Sequence, residues 1–116
     1  MAYIYIVRCD DDSLYTGITK DINKRMKNHA VGKGTSHAKY MRSHTPKELA
    51  ALWQTEDYKV AAKLEYAVKK LKRTDKLRLI NKEVTPKELF EHLSEYDFVR
   101  VEGISLEDCL GCAQGE

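Results

Sequence analysis

Residues Tyr3 to Ile18 read YIYIVRCDDDSLYTGI, two tyrosine-bearing apolar runs held apart by three aspartates. Apolar runs of this length bounded by a turn signal restrict the start of the chain to a β-hairpin. YIYIVR alternates little, so the first strand is predicted to be buried on both faces. CDDDS supplies the turn, because Asp bonds its own backbone and tolerates turn dihedrals. SLYTGIT is the second strand, in which Gly17 marks a bulge, a close approach of backbone to a ligand, or the strand's end. Register then decides what Tyr5 and Tyr15 can do together. With the turn centred on Asp10 or Asp11, partner numbers sum to about 20 or 22 and the tyrosines share a face. A sum of about 21 sends them to opposite faces, because side chains alternate with period two.

From Asp21 the period lengthens. Ile22, Met26 and Ala30 form a helical stripe that Thr19 or Asp21 can cap and Gly32 can end. Arg25 and His29, one turn apart, project together beside it. GKGTSHAKYMRSHTP reads as a basic loop with a short helical turn around His37 to Arg42. KELAALWQTE remains open between helix and strand. TPKEL occurs at Thr45 to Leu49 and again at Thr85 to Leu89, each copy a plausible capping box with Pro at the first helical position.

The strongest helical pattern covers Tyr58 to Arg73, with Val60, Leu64, Val68 and Leu71 in its stripe, Ala61 and Ala67 beside them, and lysines over much of the remainder. Glu65 lies next to the stripe, where an i, i+4 pair with Lys69 is one reading and a functional carboxylate another. Thr74 is placed to cap a helix through Ile80, and Thr85-Pro86 to start one through about Leu93. DFVRVEG can form a short strand. Trp53, Met26 and Phe90 are expected core residues.

A chain of 116 residues suffices for one domain with a short appendage. Residues 20–83 carry 17 Lys or Arg against 7 Asp or Glu, whereas 84–116 carry 2 against 8. This divides the chain into a basic body, 1–83, suited to a polyanionic partner, and an acidic C-terminal helix and tail, 84–116. No apolar run approaches the roughly 20 residues of a membrane span, and no secretory pattern opens the sequence, so a cytoplasmic protein is expected. Cys9, Cys109 and Cys112 do not make a disulfide framework, and the single CLGC pair falls short of the roughly four ligands of a structural zinc site.

Phosphodiester cleavage needs a deprotonated nucleophile, positive charge on the phosphate and help for the leaving oxygen. The chain offers two tyrosines on one hairpin, an Arg and a His on the next helix, and one carboxylate on a later helix. No second acid suggests a two-metal site, so any metal would be a weakly held Mg²⁺. Y-I-Y, then L-Y-T-G with its tyrosine ten residues on, an Arg ten after that, a His four further and a single Glu in a late helix resemble the GIY-YIG endonuclease superfamily. Its short stand-alone bacterial members, with helices like AAKLEYAVKKLKRTDKLRLI, look closest. The likeness covers about residues 2 to 82.

That resemblance implies an α+β fold: a small three-stranded antiparallel sheet flanked by helices, with ELAALWQTE as the third strand despite its composition. It implies endonucleolytic cleavage of DNA with one Mg²⁺ or Mn²⁺ ion. Tyr5 and Tyr15 match the two motif tyrosines, one a general base towards water, the other its positioner, with Tyr5 as the base. Arg25 matches the phosphate-binding arginine, His29 the orienting or relaying histidine and Glu65 the metal ligand; Gly17 and, at looser spacing, Asn81 are possible additions. The chain departs from the pattern at Tyr3, where the motif has glycine, and at Ile18, where some members have lysine. The expected function is a structure-selective or repair-type DNA nuclease, with RNA as another possible substrate. The alternatives are a nucleic-acid-binding protein that has lost catalysis and an interaction module whose protein partner docks on the acidic segment.

Overall fold

In the computed structural model, which describes residues 1–30 and 46–105 and the side chains of the first helix as far as Met26, the aspartates close a tight hairpin. Asp12 N–H donates to the Cys9 carbonyl at 2.9 Å and Cys9 N–H to that of Ser13 at 2.9 Å. Asp11 Oδ1 accepts from Ser13 N–H at 3.1 Å. Asp12 takes the left-handed conformation, φ 72°, which Asp accepts more readily than bulkier residues. The turn joins β1 (Ala2–Cys9) to β2 (Leu14–Thr19), with Tyr5 opposite Gly17 and Val7 opposite Tyr15. Partner numbers therefore sum to 22, the register that puts both tyrosines on one face.

Helix α1 (Ile22–Ala30) follows, and the two expected caps act in sequence. Thr19 Oγ1 accepts from Asp21 N–H, and Asp21 Oδ1 from Lys24 N–H, both at 3.1 Å. Gly32, His37, His44 and the expected turn around His37 to Arg42 lie outside the described residues. β3 (Pro46–Thr55) pairs antiparallel with β1 on the side away from β2. A two-residue strand, β4 (Val99–Arg100), adds to β3 and completes a sheet in the order β2-β1-β3-β4. The fourth strand, from within DFVRVEG, exceeds the three that the resemblance implied. The α+β class is as expected.

The first TPKEL copy corrects the capping-box expectation. Pro46 to Leu49 extend along β1, where Glu48 lies opposite Arg8 with Oε1 3.4 Å from its Nε. The second copy does form the box: Thr85 Oγ1 accepts from Glu88 N–H at 3.3 Å and Glu88 Oε1 from Thr85 N–H at 2.8 Å. The same four residues, PKEL, thus take opposite structures, because the first copy runs into Ala51, Leu52 and Trp53, buried alternately on the two sheet faces. Tertiary burial overrides local preference there.

β1 is covered on both sides. Ile4 and Ile6 join Trp53 under α2 (Tyr58–Lys69), which contributes Ala61, Leu64, Ala67 and Val68, and under α3 (Arg73–Ile80), which contributes Leu79. Tyr5, Val7 and Leu52 pack instead with Ile22 and Met26 of α1. α2 ends before the expected Arg73, and α3 starts there behind Lys72, with Thr74 already inside it. Beyond Glu83 the expected helix shortens to one turn, α4 (Pro86–Leu89), followed by a 3₁₀ turn, Glu91–Leu93. Phe90 and Leu93 nonetheless enter the Trp53 cluster.

Arg100 ties this C-terminal section to the body. Its guanidinium donates to the carbonyls of Leu79 and Ile80, each at 3.0 Å, and of Ala50 at 3.4 Å, and lies 5.2 Å from the Trp53 ring centre. Hydrogen bonds from a charged donor contribute about 1.5–3 kcal/mol each, and a buried carbonyl stripped of its donor is costly. Arg100→Met is expected to lower unfolding stability by about 2–3 kcal/mol, read as a lower urea midpoint at unchanged slope.

Candidate active site

β2 is the outermost strand of the sheet, so side chains from both covering helices can meet around it. A cleft of about 320 Å³ opens there. Tyr5, Tyr15, Gly17 and Ile18 come from the hairpin, Arg25 from α1, and Tyr58, Glu65 and Lys69 from α2. Arg25 reaches it because Ile22 and Met26 turn the apolar side of α1 inward and leave Arg25 half-buried beside them. Glu65 reaches it because Leu64 and Val68 bury their side of α2 and leave Glu65 at the border.

Tyr5 is 1% exposed and lies across the backbone of Gly17. A Cβ on Gly17 would stand 2.4 Å from Tyr5 Oη and 2.6 Å from Cζ. The close approach suggested by the sequence is therefore made by the protein's own phenol. Tyr15, diagonal to Tyr5 across the hairpin, places its ring centre 6.3 Å away at a 40° tilt. Burial pushes the Tyr5 phenol well above its ordinary range, negative charge on Tyr15 raises it further, and Arg25 pulls the other way; Glu65 and Tyr58 add smaller upward pushes.

Glu65 is the carboxylate of the cleft, its side chain 22% exposed, with Lys69 Nζ 3.3 Å from Oε2. The i, i+4 pair with Lys69 is thus present, and the paired carboxylate also lines the cleft. Among the described residues no three His, Cys, Asp or Glu side chains gather as a metal cluster. One hard oxygen donor facing an open cleft does fit a hydrated Mg²⁺, which commonly takes one or two protein carboxylates and completes its shell with water and phosphate oxygens. It does not fit zinc, which wants three or four protein ligands.

The structure thus brings together Tyr5, Tyr15, Gly17, Arg25 and Glu65. His29 lies on α1, one turn beyond Arg25, with its side chain outside the described residues. Asn81 is not in the cleft; it terminates α3, its N–H on the Leu77 carbonyl at 2.9 Å. Tyr3, standing where the motif has glycine, has a packing role: it joins the Tyr5 cluster and its Oη accepts from Gln54 Nε2 at 3.3 Å. Sequence reasoning missed Tyr58. Its signal was the seven-residue interval to Glu65, two turns along the same helix face.

Two tyrosines, an arginine and a glutamate thus meet at an edge of the antiparallel sheet of an α+β domain. Residues 1–79 match the GIY-YIG catalytic domain, and the chain belongs to that family, part of an endonuclease superfamily. It is similar to short stand-alone bacterial proteins: 42% identical over 92 residues to the UPF0213 protein BH0048 of Halalkalibacterium halodurans, covering 79% of this chain and 95% of that one. The UPF0213 protein YhbQ of Salmonella typhimurium is 41% identical over 91 residues, 78% of this chain and 84% of that one. A solution NMR structure of BH0048, from Bacillus halodurans, aligns over 76% of this chain and 92% of its own at 40% identity, with a TM-score of 0.46.

Two expectations follow from the geometry. Gly17→Ala must displace a buried phenol; it is expected to cost about 1–3 kcal/mol in unfolding stability and to perturb tyrosine fluorescence, whereas Ile18→Ala leaves the Tyr5 position alone. Lys69→Met frees the Glu65 carboxylate from a half-exposed pair of about 0.2–1 kcal/mol. It should tighten Mn²⁺ binding, followed by the loss of the free-ion EPR signal, by about two- to fivefold.

Proposed function

We propose that the protein is a metal-dependent endonuclease that hydrolyses DNA phosphodiester bonds at branched, nicked or otherwise open structures, in a repair-type role inside the cell. The observation that carries this reading is the convergence of Tyr5, Tyr15, Arg25 and Glu65 on one cleft from both faces of the sheet. The basic balance of residues 20–83 supports a polyanionic substrate.

In the proposed reaction Glu65 would hold the divalent ion, which would supply Lewis acidity to the phosphate. Arg25 binds a non-bridging phosphate oxygen as a fixed cation. Tyr5, as the phenolate once its own proton has passed to solvent, takes the proton of the attacking water, and Tyr15 orients that water. Burial makes proton loss at Tyr5 costly, so its action as base depends on positive charge in the cleft, of which Arg25 is the protein's own contribution. Lys69 lines the same cleft beside Glu65 and, freed from that pair, would meet the phosphate. His29, one turn beyond Arg25, is assigned to proton relay.

Cleavage of flap, nicked and plain duplex DNA in Mg²⁺ or Mn²⁺, with RNA counterparts, tests the proposal. Glu65→Ala and Arg25→Ala are each expected to lower the rate about 10²- to 10³-fold, and Tyr5→Phe about 10²- to 10⁴-fold, with DNA binding retained. Salt-sensitive binding with no cleavage of any substrate would leave a binding protein on the same scaffold. Cleavage unchanged in Glu65→Ala would remove the metal-ligand role.

A further inference from the structure

A second hollow, about 460 Å³, adjoins the cleft and is lined by Met1, Lys20, Glu56, Asp57, Tyr58 and Lys59. Tyr58 walls both spaces. Its side chain is 42% exposed, although α2 buries its helix stripe through Val60, Ala61, Leu64, Ala67 and Val68. Lys20 Nζ stands 5.7 Å from the Tyr58 ring centre, an attraction worth little at an exposed site. The residues of the hollow carry three ammonium groups, on Lys20, Lys59 and the Met1 N-terminus, against two carboxylates, on Glu56 and Asp57. Asp57 is further committed, its Oδ1 accepting from Val60 N–H at 2.9 Å. With its charges nearly balanced, such a lining is no dedicated phosphate site, and it suits a flat neutral group that offers a π-face and ring donors. Tyr66 supplies the contrast: it is 65% exposed with Lys70 Nζ 4.1 Å from its ring centre, but it lines neither the cleft nor the hollow.

We propose that Tyr58 is a stacking platform for an unpaired nucleobase, that of the nucleotide adjoining the phosphate held in the cleft, and that the hollow is its base subsite. The inference rests on the nuclease reading of the cleft and deepens it by naming the substrate feature selected. A base inside a duplex has both faces occupied, so only a flap, a gap or a single strand can present one to Tyr58. The carboxylates of Glu56 and Asp57 are placed to accept from exocyclic amino groups, and Lys20 and Lys59 to meet the flanking backbone.

The test is binding without divalent metal, which avoids cleavage, to a flap DNA carrying 2-aminopurine at successive positions near the branch, compared with a blunt duplex of the same length. For the wild type, quenching of 2-aminopurine at one position is expected. Tyr58→Ala should weaken flap binding by about 5- to 100-fold, abolish that quenching and leave duplex affinity within about twofold. Tyr58→Phe keeps the ring face and should behave as wild type, and Tyr66→Ala should change nothing. Equal weakening on flap and duplex, Tyr58→Phe as damaging as Tyr58→Ala, or Tyr66→Ala as damaging as either would overturn the proposal. If Tyr58→Ala binds and cleaves the flap like wild type, the base subsite falls while the nuclease reading stands; if the wild type binds no nucleic acid, both fall.

Discussion

The contact between the Tyr5 ring and the Gly17 backbone fixes the rest of the site. It exists in one hairpin register only, with Tyr5 opposite Gly17 and Tyr15 one diagonal away. A slip of one residue would turn Tyr15 to the other face and bring a side chain with a Cβ beneath the phenol. The register is pinned from three sides. The aspartate turn closes with Asp12 in the left-handed region, Ile4 and Ile6 demand the α2 face, and Val7 and Cys9 demand the α1 face. The glycine costs β2 some local stability. It gains a phenol held in place against the strand that bounds the cleft.

A desolvated phenol resists ionisation, and the cleft is arranged around that resistance. Arg25 opposes the burial of Tyr5 with positive charge, while Tyr15 and Glu65 strengthen it with negative charge. Lys69 partly balances Glu65. On the proposed reading, a divalent cation at Glu65 would offset a carboxylate that raises the Tyr5 phenol and would free the Lys69 ammonium within the cleft. The proposed base would then be completed by what binds beside it rather than stand ready-made.

The hairpin, its two-sided burial, α1 and the stripe of α2 were legible in the sequence because their patterns are local: period two, period 3.6 and the caps. The third strand was not legible from pattern. KELAALWQTE is made of good helix formers, and only its place between β1 and β4 holds it extended. PKEL shows why, since one copy forms a helical turn and the other lies in the sheet. The candidate cleft was legible as a set of residue types at family spacing, but its geometry was not. Glu65 and Lys69 read as an ordinary helix pair, and whether that helix face meets the tyrosines is settled by α2 packing on the sheet beside β2. Tyr58 went unnoticed for the same reason: its seven-residue interval to Glu65 marks a shared helix face but not what that face meets.

The position of the cleft also limits what can enter it. A site over the centre of this sheet would be roofed by α1 or α2, with room for a small molecule but none for a polymer. At β2 the sheet ends, and Arg25 and Glu65 reach the edge from opposite faces. On the proposed reading, a sugar-phosphate backbone would run past such an edge with one phosphate turned inward, while its neighbours stay in water. The side bearing Tyr58 continues into the second hollow, so a base placed there would first have to leave its stack. The proposed selectivity for open DNA structure would then arise from the shape of one sheet edge.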